Sequence, residues 1–195
     1  MKKIITFLFA VSLSLLGAED DQVAIKSLQK RGVAHNQLYY LPNQNMPFTG
    51  KAVAKWPNGQ KKTEINYKDG KRDGLKAHWY ESGQKLSEIS YKAGKHDGPL
   101  TMYYENGKLR RKGNHMDGKM VGIWTHWYGN NQQRDEMFYI SGLMESAIVW
   151  RPDGEKCSFT DVKAGNGIMV KYTDSGTEWL RLTYKNGGMT HWTRL

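Results

Sequence analysis

From residue 48 onward, short runs in which apolar and polar residues alternate are separated by clusters rich in Gly, Asn, Asp and Ser. Residues 76–80 and 85–91 are two such runs, and Glu81-Ser82-Gly83 lies between them. Alternation with a period of two predicts β-strands, and a short cluster containing Gly predicts the turn of an antiparallel hairpin. A second loop, over residues 68–74 and its equivalents, is expected to reverse the chain into the next hairpin. The pattern therefore predicts a succession of β-hairpins.

The hairpins recur with a period of 24 residues. Four columns of residues share this step, namely Gly50, Gly74, Gly98 and Gly122; Gly59, Gly83, Gly107 and Asn131; Tyr67, Tyr91, His115 and Tyr139; and Gly70, Gly94, Gly118 and Gly142. A fixed period of this length is typical of repeat proteins, in which each unit packs against its neighbours. We therefore expect an all-β fold, an elongated antiparallel sheet of about six tandem hairpin repeats over residues 48–188.

Aromatic residues occupy two adjacent positions in these units. The first column contains Trp79, Tyr103, Trp127, Trp150 and Tyr172, and the second contains Tyr80, Tyr104 and Tyr128. Neighbouring residues of a strand point to opposite faces of a sheet, so the two columns are expected on opposite faces. The pattern leaves open which face is packed and which is exposed.

The N-terminus predicts export. Lys2 and Lys3 precede an apolar run over residues 4–16, and the small residues Gly17 and Ala18 follow it. This order predicts a cleavable signal peptide over residues 1–18 and a location in the periplasm or outside the cell. A buried N-terminal helix is the alternative. The run is too short to cross a bilayer as a stable helix.

Residues 19–47 are predicted to form a lead-in that caps the first edge of the sheet. An acidic pair precedes the apolar residues 23–28, and Gly32 follows, which together predict a short helix. Residues 38–41 are expected to enter the first repeat as a strand. Residues 189–195 are a C-terminal tail that we expect to cover the far edge.

The chain is basic, with 29 Lys and Arg against 19 Asp and Glu and a net charge of +10. Removal of the signal peptide takes two of the 29 basic residues, which leaves 27 against 19 and a charge of +8. For an exported chain this charge favours an acidic protein, anionic lipid or a cell-envelope polymer over nucleic acid. Lysines also protect sheet edges, so the charge alone does not identify a partner.

The sequence contains no motif that predicts catalysis, and we expect a non-enzymatic protein without cofactor or metal. His78 and His126 share a column but lie four predicted strands apart, about 19 Å. Ligands of one zinc lie about 2.1 Å from it, so these two histidines cannot share an ion. Asp73 and Asp97 recur in loops, where shaping the turn by bonding their own backbone is favoured over calcium binding.

Three further positions have structural interpretations. His115 replaces a column tyrosine and is expected to be a packing residue. Glu64, Glu88 and Glu136 are expected to form an exposed strand row balanced by lysines. Cys157 is the only cysteine, so it has no internal disulfide partner. We expect it to be a half-buried strand residue, with a reactive thiol as the alternative.

Residues 74–95 and 98–119 resemble the bacterial MORN-variant repeat. They carry Gly-x-x-x-x-Trp/Tyr-Tyr, then a turn ending in Gly, then Tyr-Lys followed by a Gly-Lys-x-Asp-Gly loop, with small variations. The resemblance extends over residues 38–188 and implies an elongated sheet of consecutive hairpins. Many similar bacterial proteins carry the label of an antitoxin component, and other MORN arrays bind lipid or serve as scaffolds. Asn130-Asn131 and Val121 depart from the pattern.

These observations favour an exported module for protein or membrane-surface binding or scaffolding. The candidate binding face is the first aromatic column with its flanking lysines: Trp79, Tyr103, Trp127, Trp150 and Tyr172. An unknown protein is the leading partner, and anionic lipid or a cell-envelope polymer is the second class. The alternative is an antitoxin-like protein that neutralises a partner toxin by direct binding.

Overall fold

The computed structural model describes residues 22–33 and 37–195, so the predicted signal peptide lies outside the described residues. A 3-10 turn spans Ile25–Ser27. The strands are β1 Gln22–Ala24, β2 Gln29–Arg31, β3 Leu38–Tyr40, β4 Gly50–Lys55, β5 Lys61–Lys68, β6 Lys71–Trp79, β7 Lys85–Lys92, β8 Lys95–Tyr103, β9 Leu109–Met116, β10 Lys119–Trp127, β11 Gln133–Ile140, β12 Leu143–Val149, β13 Asp161–Lys163, β14 Asn166–Tyr172, β15 Glu178–Lys185 and β16 Gly188–Arg194.

Fourteen of these strands form one sheet in the order β1-β4-β5-β6-β7-β8-β9-β10-β11-β12-β13-β14-β15-β16, and β2 pairs with β3 apart from it. From β4 to β16 each strand is antiparallel to the next strand of the chain. The sheet is thus a long meander, which confirms the predicted fold of consecutive hairpins.

The predicted short N-terminal helix is wrong. Residues 22–24 form β1, which pairs in parallel with β4. Residues 25–27 make a single 3-10 turn without a side-chain cap, and residues 29–31 form β2. The edge of β4 supplies hydrogen-bond partners for the backbone of residues 22–24, whereas a short helix without a cap is only marginally stable. Val23 also favours an extended strand. The predicted tail forms β16, which extends the sheet and is itself the last strand.

The predicted long loop over residues 68–74 is also wrong. Asp69 and Gly70 have φ of 49° and 73°, and they alone connect β5 to β6. Positive φ at both central residues is the mark of a type I′ turn, whose twist matches that of the flanking strands. Asp73 and Gly74 lie inside β6, where the register shifts by a bulge. Asp-Gly pairs at both positions carry the same turn signal, and only the first makes a turn.

The pairing register defines two faces of the sheet. The inner face carries one row of opposed residues that runs Thr63, His78, Ser87, Met102, Arg111, His126 and Asp135. The outer face carries the row Glu64, Ala77, Glu88, Thr101, Lys112, Thr125 and Glu136. Trp124 on the inner face is fully buried, which a single flat layer cannot achieve. The sheet therefore curls, and Lys171 of β14 reaches within 3.5 Å of Asp135 on β11.

The core has two parts on this face. Near the N-terminus, a cluster built on Phe48, Ala52, Ile65 and Tyr67 is covered by the lead-in residues Val23, Ile25, Leu28, Tyr39 and Leu41. The larger cluster lies under units four to six and includes Trp124, Met137, Val162 and Met169. The lead-in thus packs onto the first repeat as expected, although as strands and a turn.

Candidate functional site

The predicted binding column lies where the first strand of each hairpin enters its turn. Its members occupy equivalent pairing positions: Trp79 with Lys85, Tyr103 with Leu109, Trp127 with Gln133, Trp150 with Lys156 and Tyr172 with Glu178. Four of the five side chains are half-buried, whereas Tyr172 is only 5% exposed. The exposed part of the column is therefore formed by the first four residues.

Cationic side chains lie beside this column. The Lys61 ammonium is 5.7 Å from the centre of the Trp79 ring, and it also contacts the Glu64 carboxylate at 2.8 Å. Lys85 and Glu88 repeat this ion pair at 2.6 Å one unit later. The column therefore borders the outer face.

The glutamate row differs from the expectation. Glu64, Glu88 and Glu136 are half-buried rather than exposed. Lysines balance the first two, but Glu136 faces the Gln133 amide at 3.4 Å. Long lysine stems and neighbouring rings cover the carboxylates, because adjacent strands bring them within reach of one another.

The second aromatic column links each unit to the next. Its hydroxyl groups donate to backbone carbonyls of the first column: Tyr80 to Tyr103 at 2.9 Å, Tyr104 to Trp127 at 2.7 Å and Tyr128 to Trp150 at 2.8 Å. The Trp56 indole donates in the same way to the carbonyl of Trp79 at 3.1 Å. We call this series the hydroxyl ladder. These bonds fix the backbone at Tyr103, Trp127 and Trp150, whose side chains belong to the first column.

The loop aspartates also act between units. Asp73 accepts a hydrogen bond from the Ala93 backbone N–H at 3.0 Å, and Asp97 accepts one from the Asp117 N–H at 3.3 Å. The expectation that each aspartate bonds its own backbone is wrong, because each carboxylate accepts from the backbone of the turn 20 residues later. Across residues 22–33 and 37–195, no group of three or more His, Cys, Asp or Glu side chains is placed to hold a metal ion.

The column histidines engage different partners. His78 on β6 contacts the Thr63 hydroxyl at 2.8 Å, whereas His126 on β10 bonds the Asp135 carboxylate. Four strand steps separate β6 from β10, as predicted. His115 packs edge-to-face against the Trp124 ring with 4.9 Å between centroids, in line with a packing residue.

A buried charge cluster, which was not among the predicted site residues, surrounds Asp135, whose side chain is 1% exposed. This carboxylate bonds His126, the Arg134 Nε at 3.1 Å and the Lys171 Nζ at 3.5 Å. Burial would raise the pKa of Asp135, but the His126 hydrogen bond and the charges of Lys171 and Arg134 hold that pKa far below its ordinary value. Burial lowers the pKa of His126 and of Lys171, and Asp135 opposes both shifts.

A repeat-column comparison would have found this cluster. Position 135 follows Thr63, Ser87 and Arg111 at steps of 24 residues, so a carboxylate departs from a column of neutral or basic side chains. Arg134, Asp135 and Lys171 line a cavity of about 300 Å³, whose other lining residues are Val149, Tyr172, Trp179 and Leu180. Its charges are paired with one another, which gives them a structural role at the centre of the curled sheet.

Cys157 differs from the expectation of a half-buried strand residue. Its side chain is 3% exposed and lies in the loop between β12 and β13. Its sulfur lies 3.0 Å from the Tyr172 hydroxyl. The thiol therefore belongs to the core of the fifth and sixth units.

Among the described residues, no helix is long and apolar enough to cross a membrane. No curated protein matches the chain. Three segments match the MORN repeat variant family: residues 48–69, 72–93 and 97–117. These segments correspond to the hairpins β4–β5, β6–β7 and β8–β9, and β10–β11 continues the same antiparallel meander with Asn131 at the turn. Three hairpins of this chain are thus similar to the MORN repeat variant, and they lie within a longer meander of hairpins.

Proposed function

We propose that this chain is an exported, non-enzymatic module that binds a protein partner through its first aromatic column. The presence of MORN repeats suggests a module for binding or scaffolding. The observation that carries the proposal is the regular placement of Trp79, Tyr103, Trp127 and Trp150, which are half-exposed and held at equivalent positions of successive hairpins.

The spacing of the column suits an extended contact. Successive members are two strands apart, about 9.6 Å at the usual strand separation. Lys61 lies next to the Trp79 ring and Lys85 lies opposite Trp79 in the sheet, each in an ion pair with a glutamate. Aromatic side chains are enriched in protein interfaces, where rigid rings lose little entropy on binding. A partner that contacts several rungs gains affinity from each of them.

Paired captures test this use of the column. Residues 19–195 serve as bait for cell-envelope proteins, with Trp79→Ala/Trp127→Ala as the test variant and Phe159→Ala as the control. Phe159 is 61% exposed and is not a member of the column, so it controls for loss of an exposed ring. We expect partners retained by the wild type and by the control to be lost from the double variant. Equal retention by all three proteins would remove the column from the proposal.

Export and membrane binding need separate measurements. N-terminal sequencing of the protein from the envelope fraction is expected to begin at residue 19, and an intact Met1 would contradict export.

Sedimentation with anionic vesicles at low salt tests membrane binding, because attraction between surface charges is then least screened. If vesicles do not carry the protein down, the membrane-surface version is dropped. The antitoxin alternative predicts rescue of cells from a co-expressed toxic partner.

A further inference from the structure

The inner face of the second and third units carries a cluster of basic side chains. They are Arg72, Lys76, His78, His96, Arg111 and His115, which we call the basic groove. Arg72 and Lys76 repel each other's charge, and both act on His78 and His96. These side chains are half-buried, and they are close enough to form one electrostatic site on the inner face.

No carboxylate of the described residues forms an ion pair with the arginines or the lysine of this groove. Among residues 22–33 and 37–195, no carboxylate lies within 4.0 Å of the Arg72, Lys76 or Arg111 nitrogens. The Nε atoms of Arg72 and Arg111 and the Nδ1 of His115 are buried without a hydrogen-bond partner. Buried polar atoms usually have a hydrogen-bond partner, so these three mark an incomplete site.

Asp135 shows how the same face compensates charge elsewhere. That carboxylate accepts from His126, Arg134 and Lys171 together. Asp135 also acts on the charge of Arg111, but its one negative charge is engaged by three closer partners. The positive charge of the groove therefore remains available to a ligand.

Two of the groove residues also break the repeat pattern. Lys76 occupies the column of Ala52, Leu100 and Trp124, whose side chains are buried and apolar. Arg111 occupies the column of Thr63 and Ser87. Charged residues at inward positions destabilise a fold unless they are used, and such local violations concentrate at functional sites.

Apolar and aromatic groups surround the cations. The Arg72 guanidinium lies 5.6 Å from the centre of the Tyr91 ring, and that of Arg111 lies 4.4 Å from the Trp124 ring. Leu100 is among the buried side chains between them. An isolated phosphate would leave this apolar surface uncovered, and a flat bilayer cannot follow the inside of a curled sheet. A peptide chain that alternates carboxylates with apolar side chains complements both properties.

We propose that the basic groove binds an acidic peptide segment of a partner protein, with carboxylates placed against Arg72, Lys76 and Arg111. This inference goes beyond the function proposed above. The aromatic column borders the outer face of the sheet, whereas the basic groove lies on the inner face. Arg72 on β6 and Arg111 on β9 are three strands apart, about 14 Å. An extended peptide spans this distance with about five residues.

Fluorescence anisotropy with a labelled peptide tests the groove. The probe is three repeats of Glu-Thr-Glu-Val, and its control replaces every glutamate by glutamine. Arg72→Gln/Lys76→Gln is the test variant, and Lys68→Gln/Lys92→Gln removes the same charge from exposed turn positions. We expect the test variant to bind about tenfold more weakly, because close charge pairs are lost, and the control variant to change by less than about twofold. The glutamine peptide should not bind.

Three results would overturn the inference: equal weakening in both variants, equal binding of the glutamine peptide, or binding of anionic vesicles but not of the peptide. If the test variant does not fold, as judged by circular dichroism, Arg111→Lys and Arg111→Met replace it. The lysine variant should keep most of the affinity and the methionine variant should lose it; equal affinities would refute the groove. Trp127→Ala should bind the peptide normally, which separates this test from that of the column.

Discussion

Neutralising Asp135 should destabilise the protein more than neutralising any other aspartate or glutamate. The substitution Asp135→Asn keeps the size of the side chain but removes its charge. It leaves Arg134 and the half-buried Lys171 without their anion and replaces the acceptor of the His126 proton. Removing one partner of a buried ionic cluster costs about 3–5 kcal/mol of unfolding free energy. For a chain of this length that corresponds to a loss of about 6–20 °C in Tm.

The pH dependence follows from the direction of the pKa shift. The pKa of Asp135 in the folded chain lies far below that of an aspartate in the unfolded chain, about 3.9. The stabilising contribution is therefore complete above pH 4 and is lost as the pH falls towards the folded pKa. The difference in Tm between wild type and variant should be largest near pH 7 and should narrow by pH 3.

Thermal unfolding followed by tryptophan fluorescence measures this difference. Asp161→Asn is the matched control, because its carboxylate pairs with Lys163 at 2.9 Å while both side chains remain exposed. An exposed pair contributes about 0–1 kcal/mol, so this control should leave Tm almost unchanged. A loss below about 1 kcal/mol for Asp135→Asn, or a difference that does not change between pH 7 and pH 3, would refute the role assigned to the cluster.

Three further predictions concern the packing of the repeats. Tyr104→Phe removes one rung of the hydroxyl ladder and should lower the unfolding free energy by about 1 kcal/mol, measured by urea denaturation; an unchanged midpoint would contradict the ladder. A Cβ at Gly113 would lie 2.2 Å from the Trp124 ring, so Gly113→Ala should destabilise by about 1–3 kcal/mol or more and shift tryptophan emission to the red. The buried Cys157 thiol should react with a thiol reagent slowly in the native protein and quickly in denaturant; a rapid native reaction would contradict its burial.

The hairpins could be predicted from the sequence because their determinants are local. Alternating residues and Gly-containing turns repeat every 24 residues, and each strand pairs with the next one along the chain. The same local signals failed where two of them competed. Asp69-Gly70 and Asp73-Gly74 look alike in sequence, and only the register of β5 against β6 decides that the first is a turn and the second a bulge.

The N-terminal helix failed for a related reason. An acidic start and a following Gly32 are helix signals, but they carry no information about the unpaired edge of β4, which takes up residues 22–24 as a strand. The Asp135 cluster depends on curling that brings β14 over β11. No local pattern encodes that approach, although the departure of Asp135 from its repeat column pointed to an unusual site.

The bonds between units have a consequence for the length of the array. The hydroxyl ladder joins residues 23 apart at Tyr80 and Tyr104, so any unit of the early array presents the same donors and acceptors to its successor. Gain or loss of one 24-residue unit in the gene would leave every remaining junction intact. Each duplication would add two strands and lengthen the sheet by about 9.6 Å. The number of units thus sets the length of the sheet without requiring a new kind of contact between units.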